Sequence, residues 1–107
     1  MRTYKIALVC VHGASTSIIV KKMSDAALNK GVEAEIKAFS DKLLANIIDE
    51  YDIIMIGPQL AFRAEEFKSL YKDMAYKFTI IDTIDFGMMN GGKILDFAIK
   101  CIEENIH

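Results

Sequence analysis

Apolar residues fall along the chain in two alternating patterns, one with the short period of strands and one with the wider spacing of helices. Tyr4 to Cys10 reads as a first strand, and Asp52 to Gly57, apolar almost throughout, as a strand covered on both faces. Val32 to Phe39 alternates small or apolar residues with charged ones, which predicts an edge strand with one wet face. Phe78 to Thr83 supplies a fourth strand. Between these runs the spacing turns helical. A first helix is expected to start near Ser15 or Thr16, to bury Ile19, Met23, Ala26 and Ala27, and to end at Gly31, where glycine can take the left-handed cap conformation. Ser40 offers an N-cap oxygen to a second helix burying Leu43, Leu44, Ile47 and Ile48. A third, over Arg63 to Tyr76, turns Phe67, Leu70, Tyr71 and Met74 inward, and a last one from Gly92 buries Ile94, Leu95, Ala98, Ile99 and Ile102.

Four strands alternating with four helices, with no Ser/Pro/Gly-rich linker, predict one α/β domain over residues 1–107 with a four-stranded parallel sheet. Right-handed crossovers place helices on both faces, a doubly wound, phosphatase-like sandwich. An edge-like strand 2 and apolar strands 1 and 3 give the order 2-1-3-4. The chain then reverses direction between strands 1 and 3. The crevice outside their carboxyl ends is bounded by the loops after Cys10 and after Gly57, which is where such folds bind ligands.

Composition narrows the partners. Thirteen basic and fifteen acidic residues give a net charge of −2 and no basic stripe, so nucleic acid is not an expected partner. No run approaches the roughly 20 apolar residues that span a bilayer, and the chain is expected to be cytoplasmic. Cys10 and Cys101 form no CxxC pair, and His12 and His107 lack metal-ligand spacing, so reduced thiols, no metal and no cofactor are expected.

The segment from Val11 to Ser17 carries the chemistry. Val11, His12, Gly13, Ala14, Ser15, Thr16 and Ser17 present successive backbone N–H groups, and Gly13 allows close approach to a ligand. The following helix adds its first-turn N–H groups and positive dipole end, which together suit a phosphate. The same field is expected to lower the pKa of a partly exposed Cys10, whereas Cys101, on an apolar helical stripe, is expected to be buried packing. Three readings remain at this point: a buried cysteine beside ordinary capping residues, a nest holding a phosphorylated ligand without covalent chemistry, and a nucleophilic thiol. Low-molecular-weight tyrosine phosphatases share the cysteine and anion loop, but their pattern needs an arginine where this chain has Thr16, which removes the guanidinium that supports hydrolysis.

The segment "CVHGASTSIIVKKM" resembles the active-site segment of the phosphotransferase-system IIB proteins of the lactose/cellobiose/chitobiose class. The resemblance continues through "IDEYDIIMIGPQLAF" and "IDTIDFGMMNGGKILDFAI", covering nearly the whole chain. It implies a phosphotransferase in which Cys10 accepts a phosphoryl group from a phosphohistidine of a IIA partner and passes it to a sugar held by the membrane IIC partner. The sugar implied is cellobiose-, chitobiose- or lactose-like. Val11 and His12 stand where the family usually has small residues, Ala14 replaces a frequent methionine, and Phe86 and Asn90 replace Tyr and Asp. His12, if protonated, could face the phosphate. On the neighbouring loop, Pro58 and Gln59 form the rim of the site, either as contacts or as a simple turn. Met88 and Met89 suit either core cover or an adaptable docking surface, and Lys21 and Lys22 either a solvated face or an acidic partner.

Overall fold

The computed structural model describes residues 2–10 and 13–105, with residues 13–15 as backbone only. Four strands, β1 (Thr3–Val9), β2 (Glu33–Phe39), β3 (Ile53–Ile56) and β4 (Phe78–Ile80), form one sheet in the order β2-β1-β3-β4. All three pairings are parallel, with Ile6 opposite both Ile36 and Ile53, and Ile54 opposite Phe78. Five α-helices are present among the described residues: α1 (Gly13–Lys30), α2 (Leu44–Ile47), α3 (Ala64–Leu70), α4 (Thr83–Gly87) and α5 (Gly91–Glu104).

The period-two alternation of the central strands explains the two layers. Ile6 and Leu8 of β1 and Ile53 and Met55 of β3 pack against Ile19 and Met23 of α1 and Ile94, Leu95 and Ala98 of α5. Their neighbours Ala7, Val9, Ile54 and Ile56 pack on the other face against Leu44 and Ile47 of α2 and Ala64 and Phe67 of α3. Each fully buried aliphatic side chain contributes about 1.5–3 kcal/mol, and Ile6 to Val9 of β1 and all of β3 are apolar and buried on both faces. The expected edge character of β2 holds, with Ile36 buried and Glu33 and Lys37 in water.

Several boundaries depart from the sequence expectation. The first helix begins at Gly13, two or three residues early, so Gly13 to Ser17 form its opening turn rather than a loop. It does end at Gly31, whose φ of 69° is the expected left-handed cap. Ser40 accepts a hydrogen bond from the Lys42 backbone N–H at 3.2 Å, but the helix it opens is a 3-10 turn, Asp41–Leu43, followed by the short α2. Leu43 therefore points to water, not inward. The expected helix over 63–76 is broken into a 3-10 segment Pro58–Arg63, α3, and a 3-10 segment Lys72–Lys77. Tyr71, at φ −122° and ψ 58°, ends α3, and Leu70 faces outward at 65% exposure. The fourth strand stops at Ile80, because Asp82 accepts from the N–H groups of Ile84 and Asp85 at 2.9 and 3.0 Å and starts α4 instead.

At the start of α5, Gly91 lies directly on α1. A Cβ there would come within 2.5 Å of the Lys22 carbonyl carbon and 2.6 Å of the Met23 nitrogen. Alanine improves helix propensity by about 1 kcal/mol, but backbone atoms cannot step aside, so overpacking wins. Gly91→Ala is expected to lower stability by roughly 1–3 kcal/mol, read as a fall in the urea midpoint at unchanged slope.

Candidate functional site

β1 and β3 run side by side and their exits diverge, one into Cys10 and α1, the other into Gly57 and the Pro58–Arg63 turn. The two exits are tied by the Gly57 N–H, which donates to the Val9 carbonyl at 2.9 Å. Cys10 itself donates its backbone N–H to Phe39 of β2 at 3.4 Å. The switch point therefore carries a thiol between three strand ends.

The sulfur is turned inward. Cys10 is only 8% exposed, and its thiol is hydrogen-bonded to the side chain of Thr16, which is 1% exposed on the first turns of α1. On its other side lies Gly57, where an added Cβ would stand 2.8 Å from the Cys10 Sγ. Gln59 is exposed, with its Oε1 3.1 Å from that same point, and Pro58 opens the 3-10 turn at its first position.

Burial pushes the Cys10 thiol above its ordinary value, while the hydrogen bonds from Thr16 and the Gly57 backbone pull the other way and lose. The expectation of a partly exposed Cys10 with a lowered pKa is thus corrected: desolvation outweighs the two hydrogen bonds. A neutral buried thiol contributes stability below the ordinary value of 9.0, and that contribution is lost as pH rises through the higher folded value.

Cys101 is less buried than its apolar stripe suggests, although its pKa is raised as that stripe implies. It packs beside the α1/α5 core but is half-buried, and burial followed by the Glu104 charge raises its pKa. Both cysteines are free thiols. With iodoacetamide at neutral pH, Cys101 is expected to be alkylated before Cys10 in the native protein, and the Cys10 rate to keep climbing with pH and level off only above its raised pKa. Peptide mapping of a labelling time course checks both statements, and faster labelling of Cys10 at neutral pH would contradict its seat against Gly57.

Of the other residues singled out in the sequence, Val11 and His12 lie outside the described residues. Gly13, Ala14 and Ser15 supply the backbone that opens α1, whose first turn carries no acidic residue to repel an anion. Thr16 is brought onto Cys10, whereas Ser17 is exposed and borders a shallow hollow with Ile18, Lys21, Lys22 and Asp25. Lys21 pairs with Asp25 at 3.4 Å on this solvated face. Met89 covers the core at a φ of 51°, and Met88 is exposed. Phe86 packs against the core, and Asn90 caps α5 by accepting from the Lys93 N–H at 3.2 Å. In the sequence Gly57 reads only as a strand end, although a glycine before proline, facing the cysteine across the switch point, is a signal of close approach. Among the described residues no three His, Cys, Asp or Glu side chains gather as a metal site, and no helix is long and apolar enough to cross a membrane.

A parallel β2-β1-β3-β4 sheet with a thiol and a helix start at the β1/β3 switch point defines a doubly wound α/β domain with a cysteine-centred site. The chain belongs to the PTS system lactose/cellobiose-specific IIB family, whose profile matches residues 5–97. It is 36% identical over 98 residues to the cellobiose-specific EIIB component of the phosphotransferase system of Lactococcus lactis subsp. lactis, covering 87% of this chain and 91% of that one. The oligo-beta-mannoside-specific EIIB component of Bacillus subtilis is 34% identical over 96 residues, covering 90% and 93%. The solution structure of a cellobiose-specific phosphotransferase IIB component from Borrelia burgdorferi superposes with a TM-score of 0.82 at 33% identity, covering 96% of this chain and 94% of that one.

Proposed function

We propose that this IIB protein is a cytoplasmic phosphocarrier that holds a phosphoryl group on Cys10 during sugar uptake. The observation that carries the reading is the placement of the Cys10 thiol at the switch point, bonded to Thr16 and next to the opening turn of α1. In the first step the sulfur attacks the phosphorus of a phosphohistidine on a IIA partner. An S–P bond forms as the P–N bond breaks, the electron pair leaves with the imidazole nitrogen, and the thiol proton ends there. In the second step a sugar hydroxyl held by the IIC partner attacks. Its P–O bond replaces S–P, and its proton returns to the sulfur.

The residues divide this work by chemistry. The first-turn backbone N–H groups of α1, from Gly13 on, and its dipole hold the phosphoryl oxygens. The Thr16 hydroxyl supports the thiolate as it forms. Pro58 and Gln59 border the entry. Position 16 offers no guanidinium to drive hydrolysis, which suits a group that must persist until the sugar arrives. The raised thiol pKa suits it as well, since a protonated sulfur stays quiet until a donor docks. The substrate class is a β-linked disaccharide or related sugar; near-equal identity to relatives named for cellobiose and for oligo-β-mannoside leaves the choice to the membrane partner.

The burial of Cys10 favours a second reading, in which the same nest binds a phosphorylated ligand and the thiol stays uncharged. Incubation with a phosphorylated IIA protein, followed by intact-mass analysis, separates the readings. A carrier gains one phosphoryl mass and keeps it, a binding module gains none, and a cysteine phosphatase loses it with release of inorganic phosphate.

A further inference from the structure

We propose that Gly57 is a positioning residue for the Cys10 sulfur: its missing side chain is the seat that keeps the thiol in register with Thr16 across the β1/β3 switch point. The inference rests on the phosphocarrier reading for its effect on transfer, and on packing alone for its effect on stability. A Cβ on Gly57 would stand 2.8 Å from the Cys10 Sγ, 3.5 Å from the Cys10 Cβ and 3.1 Å from the Gln59 Oε1. These three distances have different consequences. Carbon and sulfur in contact need well over 3 Å, so the first is a clash. The second is ordinary contact. The third involves the end of an exposed, flexible side chain that can swing away.

Only the sulfur is therefore trapped. Gly57 cannot retreat, because its N–H is held by the Val9 carbonyl at 2.9 Å and its carbonyl accepts from the Leu60 N–H at 2.9 Å. Cys10 cannot retreat along the strand, because its own N–H is held by Phe39. Any side chain at position 57 must push Sγ off its bond to Thr16 and out of the buried seat. The S–P bond must likewise form on a flank of the sulfur that Gly57 leaves open. Glycine at 57 thus fixes the direction in which the nucleophile points.

A double-mutant cycle on the full chain tests this. Gly57→Ala is expected to lower the urea midpoint, and Cys10→Ala, which deletes the sulfur, to restore most of that loss in the Cys10→Ala/Gly57→Ala protein. If Gly57→Ala alone fails to fold, the folded double variant still shows the coupling. Additive losses, or a double variant no more stable than Gly57→Ala, would overturn the proposal. In folded Gly57→Ala the displaced sulfur is expected to be alkylated faster and at lower pH than in the parent, with Cys101 labelling unchanged as the internal control for unfolding. Phosphoryl acceptance from phosphorylated IIA is expected to fall roughly 10- to 100-fold, the effect of a misplacement near 1 Å. A Cys10 pH profile superimposable on the parent's would also overturn it. If the parent protein takes no phosphate from the donor while the stability coupling is present, the carrier reading fails and the seat stands.

Discussion

Cys10→Ser is expected to cut phosphoryl acceptance by on the order of a thousandfold or more, about 4 kcal/mol in the barrier. Serine fits the seat between Gly57 and Thr16 without a clash, because oxygen is smaller than sulfur and its bond to carbon shorter. The loss is chemical rather than structural: a hydroxyl titrates far above a thiol and is a much poorer acceptor in the same nest. Far-UV circular dichroism and a urea midpoint near the parent's are expected alongside the lost transfer. Acceptance at the parent rate would remove Cys10 from the mechanism.

The largest expected loss of stability comes from the opposite face of the sheet. Phe67 of α3 is 2% exposed, with its ring 5.9 Å from that of Phe78 on β4 and the Arg63 guanidinium 4.7 Å from its centre. Phe67→Ala empties this position between α3 and the β3–β4 pair and is expected to cost about 3–5 kcal/mol. Domains of this size are stable by only about 5–15 kcal/mol, so the variant is expected to be partly unfolded at growth temperatures. Urea denaturation at low temperature measures the loss. A cost below about 1 kcal/mol would contradict close packing of α3 on the sheet.

The strand order was legible because β2 alternates with charged residues while β1 and β3 do not, which sorts edge from centre without tertiary information. Gly31 was legible for a local reason, its left-handed φ. The end of β4 was not, since "IIDTIDF" continues apolar past Ile80, and the deciding contact is the Asp82 side chain turning back to cap α4. Leu70 misled for a similar reason: helical spacing was carried through Tyr71, where the backbone leaves the helix.

The site divides along the same line. The position of Cys10 at the switch point followed from strand order, and family resemblance agreed with it. The burial of its sulfur did not, because that depends on Gly57 and Thr16 closing on it from separate elements, and helix-field arguments treat only the near end of α1.

On the proposed mechanism the phosphoryl group resides on the Cys10 sulfur. The most direct measurement is peptide mapping by mass spectrometry after reaction with phosphorylated IIA, in the parent and in Cys10→Ser, with iodoacetamide added after denaturation at mildly alkaline pH. Phosphate is expected on the peptide containing Cys10, with no alkylation of that thiol while phosphate is present and no phosphate in Cys10→Ser. Phosphate on His12, Ser15 or Thr16, or its persistence in Cys10→Ser, would contradict it.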